Sequence, residues 1–411
     1  MSNIEQIWPE ISAEIKRARR IRTAQRAAAG VFAGALLIAS AFIAAHHSGH
    51  DNNPAEINSG WNLQRVAVSP AIAPSYPLAH GGKLFVLRRE KTTDNIAVSD
   101  KLWHVACLDN RSGRVIWKSD FKVASARMAI GSGRLYVLYT RDRQKWQCAA
   151  LSEKDGGLFW RRETQSSGWP GPSTLLLAED KVCWTSDRTI ICRNATAGTL
   201  KWTATINSAS RLSPPSYNNG KVLTASGGSF HILSADNGKL ERTASLSGNK
   251  TGNGRIRGGL TVRESGNRIY MGWNGSYGGY IQCRTSDMTK ILWQKRMPSF
   301  LKMELADGSL VARSMDIRAY DLRTGALKWK APVGGCGNLA FDNGRIYAVD
   351  AADRREIVAL DNSTGNEMWR REIGSSCSGI VVSKQMGFVN NNEGILQALP
   401  LTHNRKRRNK G

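Results

Sequence analysis

IRAYDLRTGALKW (residues 317–329) and IVALDNSTGNEMW (residues 357–369) are two copies of one pattern. An apolar stretch of strand length ends in Asp, a Gly stands four positions on, and a Trp stands eight positions on. Each part has a physical reason. The Asp side chain accepts hydrogen bonds from the backbone of the turn it opens, and Gly takes the positive φ that closes a tight hairpin. The Trp begins the outgoing strand, where its flat area can wedge between sheets.

Searching outward from these copies reveals the pattern along the chain: Asp109/Gly113/Trp117, Ser152/Gly156/Trp160, Asn194/Gly198/Trp202, Ser234/Gly238 with Arg242, Thr285/Thr289/Trp293, Asp321/Gly325/Trp329 and Asp361/Gly365/Trp369. That is seven copies, two of them degraded. A period near 40 residues is the signature of a propeller or a solenoid. A second marker precedes each copy, a turn that often carries Gly with Lys or Arg and opens a short apolar strand. It occurs at Lys83, Arg134, Lys181, Lys221, Arg268, Ser309, Arg345 and, degraded, Gln385.

There are eight second markers against seven of the first. The strand after the last marker, residues 394–399, meets no Asp/Gly turn and no Trp, whereas Trp61 opens a strand with no turn before it. The two halves make one unit. A ring closes in this way, its N-terminal strand completing the last sheet and removing open edges, while a linear solenoid would end in capping repeats. The expected fold is therefore all-β: an eight-bladed propeller of four-stranded antiparallel blades over residues 60–400, the last blade assembled from 60–68 and 376–400.

Composition agrees with many short strands and frequent turns: 411 residues include 40 Gly and 13 Trp, and 41% of the chain is hydrophobic. The net charge of +25 is spread along the chain, since residues 51–402 alone hold 47 basic and 30 acidic residues. Such an excess favours an anionic partner, a protein face or an envelope polymer. No domain motif that reads nucleic acid is present, so nucleic acid is not the expected partner.

Residues 27–45 (AAAGVFAGALLIASAFIAA) carry no charge and approach the roughly 20 residues that span a bilayer. Lys16, Arg17, Arg19, Arg20, Arg22 and Arg26 precede them, which sets the N-terminus in the cytoplasm and the propeller on the extracytoplasmic side of the cytoplasmic membrane. The expected layout is a short basic cytoplasmic segment (1–26), a transmembrane helix (27–45), a linker (46–59), the propeller, and a basic disordered tail (401–411). A cleaved signal peptide is the alternative, because Ala39-Ser40-Ala41 has the small-x-small spacing of a cleavage site.

The Ala-x-Asp-x-x-x-Gly-x-x-x-Trp form, plainest at Ala319–Trp329 and Ala359–Trp369, resembles the tryptophan-docking repeat of the PQQ-like (quinoprotein alcohol dehydrogenase-like) propeller superfamily. The resemblance covers residues 60–400. It implies one of two roles: a dehydrogenase with a pyrroloquinoline quinone site, or a non-enzymatic scaffold of the BamB-like kind that binds partner proteins. The dehydrogenases commonly carry an adjacent Cys-Cys pair and a carboxylate/amide set for calcium. This chain has no adjacent cysteines, which favours the scaffold; it also has no lipidated N-terminal cysteine, which favours the cytoplasmic over the outer membrane.

Candidate sites are few. Cys107, Cys192 and Cys283 fall two residues before the turn-opening position and read as small core residues; Cys183 and Cys192 also stand where a hairpin turning at Asp187-Arg188 could pair them as a disulfide. Cys336 and Cys377 occupy equivalent positions in neighbouring blades, either as a pair or as two unrelated thiols. No paired carboxylates, nucleophile constellation, cofactor site or metal site is read, so no enzyme is expected. Variable loops on a rigid scaffold carry binding. The long ones, at 88–101, 141–146, 162–174, 206–216 and 245–258, all emerge on one face. They hold Arg88, Arg89, Lys91, Lys101, Arg141, Arg143, Lys145, Arg211, Lys250, Arg255 and Arg257, with Trp169 as an aromatic anchor. The expected function is a monomeric, membrane-anchored scaffold with a basic partner face; a quinone-dependent enzyme and a membrane-tethered sensor are the alternatives.

Overall fold

The computed structural model describes residues 62–63, 77–88, 102–142, 144–167, 171–208, 210–245, 260–275, 278–334, 337–350, 356–373, 377–391 and 396–401. The segments 1–26, 27–45 and 46–59, the tail beyond Leu401, Trp61 and Cys336 lie outside them. No helix long and apolar enough to cross a membrane occurs among the described residues.

Every described element is a strand, and the strands form eight four-stranded antiparallel sheets. Blade 1 is Leu78–His80, Lys83–Arg88, Trp103–Asp109 and Val115–Val123; blade 2 is Ser125–Gly131, Arg134–Thr140, Lys145–Ser152 and Leu158–Ser167. Blade 3 is Leu176–Ala178, Lys181–Ser186, Thr189–Asn194 and Leu200–Thr205; blade 4 is Ser216–Asn218, Lys221–Ser226, Ser229–Ser234 and Leu240–Ser245. Blade 5 is Thr261–Ser265, Arg268–Gly275, Gly278–Thr285 and Ile291–Met297; blade 6 is Lys302–Ala306, Ser309–Arg313, Ile317–Asp321 and Leu327–Ala331. Blade 7 is Ala340–Asp342, Arg345–Asp350, Glu356–Asp361 and Glu367–Glu372.

Blade 8 is the split one. Cys377–Ser383, Met386–Asn391 and Leu396–Pro400 are completed by Asn62–Leu63, with Asn62 opposite Gln397 and Leu63 opposite Leu396. The register repeats that of blade 7, where Arg370 and Arg371 face Val358 and Ile357. The first strand of blade 1 packs beside those of both blade 2 and blade 8, so the ring is shut. The stretch 162–167, expected in a loop, instead prolongs the outer strand of blade 2 to Ser167.

The core is divided into eight apolar clusters, one per junction between neighbouring blades. Six of them contain a repeat Trp: Trp117, Trp160, Trp202, Trp293, Trp329 and Trp369. Each docks on the next blade rather than on its own. Trp117 Nε1 donates to Glu153 O (3.1 Å), Trp160 to Ala195 O (3.0 Å), Trp202 to Ala235 O (2.8 Å), Trp293 to Leu322 O (3.1 Å) and Trp329 to Asn362 O (3.0 Å).

The rings of the first five lie flat on the repeat Gly of the next blade. A Cβ on Gly156, Gly198, Gly238, Gly325 or Gly365 would stand only 2.4 to 2.6 Å from the indole. Gly is therefore required twice over, for a φ near +70° and for the space its missing side chain leaves. Blade 8 has no such turn, and Trp369 Nε1 finds no acceptor among the described residues.

Gly113 is the repeat glycine of blade 1. It closes its turn in the same way, with φ +69° and its amide donating to Asp109 O (2.9 Å). Its neighbour across the ring closure is blade 8, whose repeat-equivalent Trp61 lies outside the described residues. In blade 1 the repeat Gly is thus described in its turn role alone.

Candidate functional site

Antiparallel order sorts the connections onto two faces. Turns between first and second strands, and between third and fourth, share one end of the ring, the turn face. Turns between second and third strands share the other end with the connections between blades; this is the loop face.

The turn face is given over to holding the ring. Asp321 Oδ1 accepts from the backbone N–H of Arg323 (3.0 Å) and Thr324 (2.7 Å), and Asp109, Asn194 and Asp361 do the same in their turns. The Thr324 hydroxyl and these amides hold the Asp321 carboxyl below its usual range. The basic residue of the second marker also crosses to the next blade. Lys83 Nζ reaches Glu153 O (3.2 Å), Arg134 Nη1 reaches Thr196 O (2.7 Å), and Arg268 Nη1 reaches Arg323 O (2.7 Å). Lys181 Nζ does so through the Asp236 carboxylate (3.4 Å). The sequence pattern displayed these cations without revealing their partners, which lie one blade away.

The loop face carries the four described members of the expected basic set. Arg88 ends the second strand of blade 1, half-buried and opposite His104; Arg141 is exposed at the equivalent place in blade 2. Lys145 is exposed at the start of the next strand of blade 2. The turn joining Arg141 to Lys145 is fixed by Asp142, whose Oδ1 accepts from the amides of Gln144 (2.8 Å) and Lys145 (2.9 Å); those amides hold its carboxyl below the usual range. Arg211, exposed between blades 3 and 4, donates to Gly171 O (3.1 Å) and lies 3.6 Å from Asp187. These four residues thus span blades 1 to 4. Arg89, Lys91, Lys101, Arg143, Trp169, Lys250, Arg255 and Arg257 lie outside the described residues.

Some described acidic groups on the same face are engaged by basic ones. Asp316 binds Arg318 (2.8 Å) and Lys330 (3.2 Å), and Arg370 joins Asp350 and Glu356 (both 2.6 Å). Trp146, which the repeat does not predict, packs against Gly171 under the connection from blade 2 to blade 3.

Cys183 and Cys192 form a disulfide across neighbouring strands of blade 3, with Cα atoms 4.1 Å apart and both side chains buried. Cys192 is accordingly a bonded residue and not a free core thiol. Cys107, Cys148 and Cys283 are free and buried, and burial pushes the first two up to about 12.

The quinone site implied by the superfamily can be tested on the donor set. Among the described residues no three His, Cys, Asp or Glu side chains gather as a metal would need. Two acids on the first strands of blades 5 and 6 are taken: Glu304 by both Nε and Nη2 of Arg263 (2.6 Å each), Glu264 by Asn219 (3.0 Å).

Comparison with known proteins gives a consistent picture. A family model described as outer membrane protein assembly factor BamB matches residues 103–331 and 313–406. The chain is 24% identical over 313 residues to the protein of that name from Moranella endobia, covering 71% of this chain and 68% of that protein. It is 26% identical over 246 residues to the one from Yersinia pestis, covering 55% and 58%. Among solved structures, BamB from Moraxella catarrhalis superposes with a TM-score of 0.59 at 16% identity, over 84% of this chain and 98% of that one. A quinohemoprotein alcohol dehydrogenase from Pseudomonas putida HK5 gives 0.57 at 10% identity, over 84% and 76%. The two structural likenesses bear on the fold alone, whereas the family model spans nearly the whole ring: the chain belongs to the family of outer membrane protein assembly factor BamB.

Proposed function

We propose that this protein is an extracytoplasmic scaffold that binds partner proteins in assembly of the cell envelope, presenting the loop face of its propeller. The observation that carries this reading is the division of labour between the two faces. The turn face is consumed by the Trp–Gly latch and the crossing cations, while the loop face combines variable connections with cations in excess of its paired acids. An acidic protein surface is the complementary partner, and an anionic envelope polymer is the second candidate.

The buried Cys183–Cys192 bond supports a compartment outside the cytoplasm, because disulfides persist where the medium is oxidising. Residues 27–45 serve as the anchor in the cytoplasmic membrane; deleting them should release the protein from alkali-washed membranes. The test of the partner face is charge reversal at Arg88, Arg89, Arg141 and Arg143, followed by affinity purification from membranes. Loss of co-purifying partners, with the circular dichroism spectrum intact, is the expected result. Retention of every partner would exclude this face. Binding of pyrroloquinoline quinone with Ca²⁺, seen as cofactor absorbance, would favour an enzyme instead.

A further inference from the structure

Among the junctions whose two repeat positions are both described, one lacks the Trp–Gly latch on both sides. Between blades 4 and 5 the docking Trp is replaced by Arg242 and the receiving Gly by Thr289, so the two degraded repeats are the two halves of a single contact. The backbone has moved to match. The left-handed residue of the turn is Met288, with φ +64°, one position before the repeat Gly. Its side chain, 1% exposed, enters the apolar cluster of this junction with Phe230 and Ile232 of blade 4 and Val262 and Met271 of blade 5. A flexible thioether delivered from the receiving turn stands where a rigid indole is delivered from the outer strand elsewhere.

The polar links across this junction are of a different kind: Asn219 Nδ2 donates to Glu264 (3.0 Å), and the Arg284 guanidinium lies 5.0 Å from the centroid of the Phe230 ring. Lys221, the marker cation of blade 4, pairs with Glu241 of its own blade. Two arginines also cross: Arg242 to Asp287 O (3.3 Å) and Arg284 to Ser245 O (3.0 Å). Arg284 is buried, and the charge of Arg242 acts on it as a like charge. Without the Trp, the outer strand Leu240–Ser245 exposes every residue except the half-buried Ala244. The chain then takes a long connection to Thr261, whereas a single residue joins Val123 to Ser125, so no short tether restrains the two blades.

We infer that the junction between blades 4 and 5 is a built-in seam, at which the closed ring opens first while the Trp-latched junctions stay shut. Opening there lets the loop face spread to fit a partner without unfolding any blade. The native thiols supply internal controls, since Cys107, Cys148 and Cys283 lie in the Trp-latched junctions 1–2, 2–3 and 5–6. Ala225→Cys places a thiol in the seam cluster, where Ala225 is equally buried, and leaves Met288 untouched.

The full-length protein carrying Ala225→Cys is pulse-labelled with iodoacetamide under native conditions, and each cysteine is followed by peptide mass spectrometry. The seam thiol is expected to react at least tenfold faster than Cys107, Cys148 and Cys283. Restoring the latch, by Arg242→Trp together with the blade 6 turn sequence Asp-Leu-Arg-Thr-Gly over residues 285–289, should bring it back to the rate of the native thiols. Labelling at the native-thiol rate before the graft, or a fast rate that the graft does not slow, overturns the inference.

Discussion

Gly365 and Gly344 offer a direct test of what the repeat glycine does. Both belong to blade 7, and both hold nearly the same left-handed backbone, φ +73° and +69°. A Cβ at Gly344 meets nothing within 4 Å, but at Gly365 it would lie 2.5 Å from Trp329 Cε3. Ala in a left-handed conformation costs about 1–2 kcal/mol. Gly344→Ala should therefore lose about that much, whereas Gly365→Ala should lose a further ~1–3 kcal/mol as the indole is driven out of its slot.

The surplus is isolated by a cycle with Trp329→Ala. With the indole gone, Gly365→Ala should cost no more than Gly344→Ala, giving a coupling of about 1–3 kcal/mol between positions 365 and 329. Urea unfolding followed by far-ultraviolet circular dichroism measures all five proteins. If Gly365→Ala costs the same with and without Trp329, the glycine serves the turn alone and the latch described above is wrong.

Three further outcomes are expected. Replacing both Cys183 and Cys192 by Ser should lower stability by about 2–3 kcal/mol, the loop-closure value for their separation of 9 residues, and reductant should lower the unchanged protein by a similar amount. His231 is buried between the hydroxyls of Ser226 (2.8 Å) and Thr243 (3.0 Å), and burial holds its pKa below the usual value. The unfolded chain then binds a proton that the folded chain refuses, so the contribution of His231 is complete above about pH 6.5 and is lost as the pH falls below it; the stability gap between the unchanged protein and His231→Gln, read from urea midpoints, should narrow from pH 8 to pH 5.5. Deleting residues 58–68 removes the strand that completes blade 8 and should lower the melting temperature, and an unchanged melting curve would contradict closure through Asn62 and Leu63.

The repeat could be read from the sequence because its parts act locally. Asp321 and Asp361 open turns through amides two and three residues away, and the count of half-repeats at the two ends was enough to predict a ring that closes on itself. The candidate site was legible only as a composition of loops. Of its members, Arg88, Arg141, Lys145 and Arg211 are placed on one face by the order of the strands, and Arg211 lies beside Asp187.

Contacts between blades were not legible, because their two ends are 29 to 70 residues apart and belong to different turns. From spacing alone Trp117 and Gly156 belong to separate repeats; in the ring Gly156 lies under Trp117 of blade 1. Likewise Arg242 and Thr289 read as two separate defects; in the ring they face each other, and Met288 takes the place that neither fills. The destination of Lys83, Arg134 and Arg268 was equally hidden, as was the choice between a free and a bonded Cys192, which the pairing of Cys183 with Cys192 across adjacent strands decided. Sequence by itself determined the blades, since each hairpin is specified by residues close along the chain. Only the tertiary structure decided how blade grips blade, since a docking Trp and the glycine beneath it meet only once two separately formed sheets are stacked.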